Sequence, residues 1–305
     1  MVTWQLFVSP FVLHVFVAGG LAFVLIAALD KAVALAPRAR MTLYAAVLAV
    51  PIMSYLVYFT HIFGRCTVLF GPFVWRICTM GRIYSDFLGP FTAILLGIYL
   101  VFRLWQYYSS PLRLSSLVAD EAARARVKRA LAHVDSALKP RVSVYSNCFP
   151  ALFVRDTDVP ELCVTTGLLE QLSDAELRAA LEHEAAHIRG RDNLWNLVFL
   201  LKEVAFFSPL AHLAYARYCQ AREEAADESV GDSYRLELAS ALLKVLRRSQ
   251  ELLSFAKWRW SENFFVGGGD IKRRIELLLA DRRAYTPLPV WVPLCLLGVI
   301  VVLIC

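Results

Sequence analysis

Four long apolar stretches constrain this chain more than anything else in it. Residues 7–29 are uncharged, 41–63 carry no acid or base except His61, 87–102 are apolar up to Arg103, and 284–305 are uncharged. A helix needs about 20 such residues to cross a hydrocarbon core, and only a helix satisfies its own backbone there in a single segment. With 58% hydrophobic residues and a mean hydropathy of +0.53, the 305-residue chain is too apolar for an ordinary soluble protein. The expectation is a mainly α-helical membrane protein with four transmembrane helices. Residues 1–110 form a three-helix transmembrane region with an outer loop at about 64–86, residues 111–283 a cytoplasmic domain, and residues 284–305 the fourth transmembrane helix. The first stretch lacks a basic leader and a small-residue cleavage site, so it reads as a span rather than a signal peptide.

Basic residues near the spans orient the chain, because loops rich in Lys and Arg stay cytoplasmic. The residues before the first span contain none, whereas the first connection carries Lys31, Arg38 and Arg40. Arg103, Arg113, Arg124, Arg126, Lys128 and Arg129 follow the third span, and Lys272, Arg273, Arg274, Arg282 and Arg283 precede the fourth. The N-terminus is expected outside and the domain at 111–283 inside, against a dissenting vote from three arginines in the 64–86 loop. Topology thus accounts for much of the formal charge of +6, and a nucleic-acid partner is not required. Trp4, Trp75, Trp105 and Trp291 suit interfacial anchors, and His14 and His61 suit hydrogen-bonded histidines within the spans. None of the seven cysteines forms a two-apart pair, which argues against a cysteine metal cluster. Cys66 and Cys78, in the expected outer loop, are read equally as a disulfide or as two free thiols.

The domain at 111–283 carries chemistry. In the string His183-Glu184-Ala185-Ala186-His187 the two imidazoles lie four apart, so on a helix they point the same way and can share one metal ion, with Glu184 beside the water that ion carries. Ser173, Asp174, Ala175 and Glu176 read as a capping-box start, Gly190 as a stop, and Leu177, Leu181 and Ile188 as an apolar face, so the histidines belong to a helix. A catalytic zinc needs a third protein ligand and one open position. Glu223, within Arg222-Glu223-Glu224-Ala225-Ala226-Asp227, is the candidate, and Asp227, one turn on, can hold a ligating imidazole by its other nitrogen. The bland alternative is a surface helix that carries two histidines by accident.

Around this motif, 119–138 reads as a charged amphipathic helix, and 141–145, 151–154 and 162–165 as short strands. Leu162, Cys163, Val164 and Thr165 are expected to offer an unpaired edge that holds an extended peptide substrate; the alternative is a strand buried in a small sheet. The apolar stretch 194–207, interrupted by Lys202 and Glu203, is read as an amphipathic or packed helix, with a membrane hairpin as the alternative, and Pro209 begins the helix that returns Glu223 to the histidines. Gly267, Gly268 and Gly269 form a flexible break before a helix at 271–280 capped by Asp270. His212 is a weak candidate for stabilising an oxyanion, with a packed or membrane-surface histidine as the alternative, and Arg222 and Asp192 read equally as braces or substrate contacts.

The strings HEAAHIRGRDNLWN, FFSPLAHLAYARY, AREEAADESVG and IKRRIELLL together resemble the BlaR/MecR-type integral-membrane zinc peptidases, as does the order of three spans, zinc domain and fourth span. The resemblance implies a gluzincin-like α+β metalloprotease domain in a bacterial inner membrane. His183, His187 and Glu223 would ligate Zn2+, Glu184 would be the catalytic acid/base, and Asp227 would stand behind the ligands. It also implies a signalling protease that cuts itself or a cytoplasmic winged-helix repressor, with a homo-oligomer compatible. Family members that sense antibiotics carry a penicillin-binding domain beyond the last span; this chain ends at Cys305, and direct β-lactam sensing is therefore not expected. HtpX-type and CAAX-processing gluzincins share the helices with a different arrangement of spans. They supply the alternative of a housekeeping protease for membrane proteins. A third reading is a silent receptor braced by zinc, which the intact Glu184 opposes.

Overall fold

The computed structural model describes residues 2–58, 98–99, 101–102, 121–132, 134, 140–155, 160–190, 197–255, 271–280, 285–286 and 289–304. These form two compact units. The first comprises 1–110, 198–218 and 285–305; the second comprises 111–197 and 219–284.

In the first unit, α1 (Val2–Ala32) and α2 (Pro37–Val57) contain stretches long and apolar enough to cross a membrane, Phe11–Ala32 and Pro37–Val57, with hydropathies of 2.5 and 1.5. Pro37 opens α2 at a position where its missing N–H costs nothing. The two helices meet at Gly19, where a Cβ would stand 2.9 Å from Pro51 Cγ, so the close approach needs the bare backbone. The buried His14 is within 2.6 Å of Ser54 Oγ, which satisfies both polar side chains across the apolar contact. Of the third expected span only 98–99 and 101–102 are described, all helical, and the 64–86 loop with Cys66 and Cys78 lies outside the described residues, as does His61. The fourth expected span gives α10 (Trp291–Ile304; in chain order after the helices introduced below), apolar but 14 residues long, packed on α2 and α1. Two helices of spanning length among the described residues, rather than four, are therefore what this structure offers.

The stretch expected inside the domain at 111–283 joins the first unit instead. Helix α6 (Leu197–Val204) ends in a turn, and α7 (Pro209–Ser229) begins there. Lys202 Nζ lies 2.5 Å from Glu203 Oε1, both side chains buried, with the ammonium 4.7 Å and 5.2 Å from the rings of Phe199 and Tyr215. Pairing and aromatic faces offset the cost of burying the two charges that interrupt this apolar stretch. The segment is thus a packed helix.

The second unit is built around α5 (Asp174–Arg189). Before it come α3 (Glu121–Ala132), strands β1 (Arg141–Tyr145), β2 (Leu152–Arg155) and β3 (Glu161–Thr165), and a single-turn helix α4 (Thr166–Gln171) that sequence reasoning did not anticipate. The sheet order is β1-β3-β2: β3 runs parallel to β1, with Val142 opposite Leu162, and antiparallel to β2, with Phe153 opposite Cys163. Val144, Leu152, Leu162 and Val164 pack with Leu168, Leu177 and Leu181 and with Val127 of α3 into one core, which fixes one face of α5. The capping box forms, with Glu176 N donating to Ser173 Oγ at 3.3 Å and Ser173 N to Glu176 Oε2 at 2.8 Å. Arg126 locks the approach to α5, donating to Asp174 Oδ1 and to the carbonyls of Leu169 and Leu172, each at 2.7 Å. Helix α8 (Arg235–Phe255) covers α5, and α9 (Ile271–Leu279) covers α8 through Leu278 and Ile275. The glycine run at 267–269 and Asp270 lie outside the described residues.

Candidate metal centre

The spacing of one helical turn does what elementary geometry requires of it: on α5, His183 and His187 project together, and their Nε2 atoms stand 3.2 Å apart. The second half of α7 brings Glu223 to them. Glu223 Oε2 is 3.5 Å from His183 Nε2, and Oε1 is 3.9 Å from His187 Nε2. Among the described residues these three side chains form the group of donors close enough to share an ion, all within 4.8 Å of one another. Donors about 2.0–2.1 Å from a tetrahedral zinc stand roughly 3.4 Å apart, so the set fits that ion with little rearrangement. Imidazole and carboxylate are also the donors that leave zinc one position for chemistry.

Behind the donors, Asp227 Oδ1 lies 3.0 Å from His183 Nδ1, close enough to attract its proton although poorly aligned with the N–H direction. A proton held on Nδ1 leaves the Nε2 lone pair facing His187 and Glu223, the tautomer a metal ligand needs. Helix α9 supplies a residue that sequence reasoning counted only as a topological charge. Arg274 donates from Nε and Nη2 to the two oxygens of Asp227 at 2.7 Å each, and its Nη1 is 3.1 Å from Glu223 Oε2. The signal was present: Ile271, Ile275 and Leu278 mark the inward stripe of α9, and Arg274 falls on that stripe. Arg222 Nη2 holds the other oxygen of Glu223 at 3.2 Å, a brace rather than a free cation.

These neighbours set the charges. Burial works against an ionised Glu223, yet His183, Arg274 and His187 outweigh it and hold the carboxyl well below its usual range. Asp227 is held low against the same burial by Arg274 and then His183. Burial disfavours a charged His183 too, but Asp227 and Glu223 push it up to about 9 in the metal-free protein. Glu184 differs in direction: burial, reinforced by Glu223, raises its carboxyl, while His187, His183 and Arg274 pull it back. A carboxylate lifted toward neutrality beside metal donors is suited to taking and returning a proton.

One sequence expectation needs revision here. Strand β3 cannot present Leu162, Cys163, Val164 and Thr165 to a substrate main chain, because β1 and β2 occupy both its edges. The run Leu162, Cys163, Val164, Thr165 is buried throughout, the mark of a central strand rather than an edge. His212 Nε2 lies 2.6 Å from the carbonyl of Phe206, which ties it to the turn between α6 and α7. Asp192 lies outside the described residues.

Two histidines one turn apart with a carboxylate from a second helix are the donors of a metallopeptidase, and the acid between the histidines is placed beside them. The chain belongs to the M56 peptidase family: residues 91–278 match the family described as BlaR1 peptidase M56. Among curated proteins, it is 31% identical over 130 residues to a Protease HtpX homolog of Moorella thermoacetica, covering 40% of this chain and 42% of that one. It is 29% identical over 128 residues to Protease HtpX of Legionella pneumophila, covering 40% and 45%. It is 38% identical over 72 residues to Protease HtpX homolog 2 of Methanosarcina mazei, covering 23% and 24%. The matched part spans less than half the length of these relatives.

Proposed function

We propose that this chain is a membrane-associated zinc endopeptidase with its metal centre on the cytoplasmic side. The observation that carries the reading is the convergence of His183, His187 and Glu223 within 4.8 Å, with Glu184 on the same turn of α5. Membership of the M56 family and the two apolar helices of spanning length support it. The basic residues flanking the apolar stretches support the cytoplasmic side.

Zinc held by His183, His187 and Glu223 would acidify a water molecule and polarise the scissile carbonyl. Glu184 takes the proton of the attacking water as the new C–O bond forms, then gives it to the departing amine as the C–N bond breaks. Asp227 keeps His183 in the ligating tautomer throughout. Strand β2, packed beside α5, has no strand partner on its outer edge among the described residues and is the edge suited to holding an extended peptide.

For the substrate, two family roles have support. The HtpX relatives favour a protease acting on membrane proteins, and the BlaR1 description favours cleavage of a cytoplasmic repressor or of the chain itself. Incubating the purified protein with both kinds of candidate, and mapping cuts by mass spectrometry, separates them. The chemistry itself is tested by Glu184→Gln, which should keep stoichiometric zinc and lose about 10²–10⁴ in rate, the usual contribution of a general base. Undiminished hydrolysis by that variant, or activity in preparations free of metal, refutes the assignment.

A further inference from the structure

Arg274 is 2% exposed, and a buried guanidinium costs several kcal/mol unless its protons are all placed. Among the described residues its partners belong to the donor set or stand directly behind it: Asp227, Glu223 and, at 3.4 Å, His183 Nε2. Two oxygens are shared. Asp227 Oδ1 takes Arg274 Nη2 at 2.7 Å while standing 3.0 Å from His183 Nδ1. Glu223 Oε2 takes Arg274 Nη1 at 3.1 Å while standing 3.5 Å from His183 Nε2. The guanidinium plane therefore fixes the rotation of both carboxylates at the atoms that meet His183.

Helix α9 is anchored so as to deliver that plane. The adjacent Arg273 donates to the buried Glu224 at 2.9 Å, so consecutive arginines grip consecutive acids of α7. At the far end, Arg235 donates to the carbonyls of Leu277 and Ala280, at 2.7 Å and 3.0 Å, satisfying groups that a helix terminus leaves open. Without Arg274, Glu223 and Asp227 would be two like charges one turn apart in a buried site, and repulsion would turn them away from the histidine.

We propose that Arg274 is a positioning residue of the metal centre, holding Asp227 and Glu223 in the orientation that presents His183 and Glu223 to the ion. The proposal rests on the metal reading above. Lysine would supply the charge but not the two-pronged geometry, which separates orientation from neutralisation.

The test uses the full chain purified in detergent, with zinc affinity from chelator competition and the visible spectrum of the cobalt(II) form. Arg274→Gln should bind zinc about 10- to 100-fold more weakly, as loss of groups behind a ligand usually does, with an altered cobalt spectrum. Arg274→Lys should recover part of the affinity but not the spectrum, and it carries the test if the Gln variant fails to fold. Arg273→Gln, which removes one anchor of α9 without touching a donor, should lose much less zinc affinity than Arg274→Gln. Parental affinity and spectrum in Arg274→Gln or Arg274→Lys overturn the proposal, and so does an equal loss in Arg273→Gln. A parent chain that takes up no zinc removes the metal reading itself, and this proposal with it.

Discussion

Glu176 ties the start of α5 to α8, and replacing it by glutamine should weaken the metal-bearing helix in a way that depends on pH. Its carboxylate accepts from Ser173 N and Lys244 Nζ, each at 2.8 Å, and from Ser240 Oγ at 2.6 Å. Burial opposes ionisation, yet the Lys244, Ser240 and Ser173 hydrogen bonds outweigh it and bring the carboxyl from 4.5 to about 2. Because the folded value lies below the unfolded one, the stabilisation is complete above about pH 4.5 and is lost as pH falls toward 2. At about 1.4 kcal/mol per unit the shift corresponds to roughly 3 kcal/mol. Lys244 is 44% exposed, and screening there reduces the expected contribution to about 2 kcal/mol.

Glutamine keeps the shape and removes the charge, so the difference between the two proteins isolates the ionised form. Hydrogen exchange of α5 amides reads the local opening free energy without assuming that the whole chain unfolds in one step. At pH 7 the parent should be protected about 30-fold more than Glu176→Gln, the equivalent of 2 kcal/mol. At pH 3 the free-energy difference should fall below half of that. Equal protection at pH 7, or a ratio that stays constant between pH 7 and pH 3, would refute the reasoning.

Gly167→Ala would drive a Cβ into the carbonyl oxygen of Cys148, a backbone atom that cannot rotate away, so about 1–3 kcal/mol of stability should be lost; an unchanged melting temperature in detergent would contradict this. Gly19→Ala, with its Cβ 2.9 Å from Pro51 Cγ, should separate α1 from α2, measured as reduced cross-linking between cysteines placed on the two helices. Stripping the ion with a chelator should lower the melting temperature of the parent and leave His187→Ala unaffected, and an equal shift in both would show that the chelator acts elsewhere.

The parts of this structure legible in the sequence were those that local periodicity and chemistry determine. His183 and His187 share a face because a helix repeats every 3.6 residues, and the Ser173 to Glu176 box marks where that helix begins. Glu223 lies far along the chain, yet the demand for a third ligand singled it out, since its own helix carries an acid one turn later in Asp227. Strand order was not legible. The segment 162–165 alternates no more clearly than a buried strand does, and only the non-local parallel pairing with β1 reveals that β3 is central. Arg274 was missed because a run of basic residues ahead of an apolar stretch has two explanations, topology and ion pairing, and charge counting sees only the first. Lys202 and Glu203 left a surface helix, a packed helix and a membrane hairpin open, and their pairing with each other, which lets both be buried, fits the packed helix.

The candidate metal centre is assembled from three helices, none of which supplies it alone. Helix α5 brings two imidazoles, α7 two carboxylates and α9 the guanidinium that orients them. Nine residues are too few for α9 to persist as a helix in water, so its presence depends on the packing of Ile275 and Leu278 and on the ion pairs of Arg273 and Arg274. The pairs of Arg274 also hold Glu223 and Asp227 in register. Anything that displaces α9 therefore disturbs Glu223 and Asp227 directly, without needing to move the histidines on α5, whose position is set by the core around Leu177 and Leu181. Loss of the α9 contacts would therefore reach the carboxylates before the imidazoles.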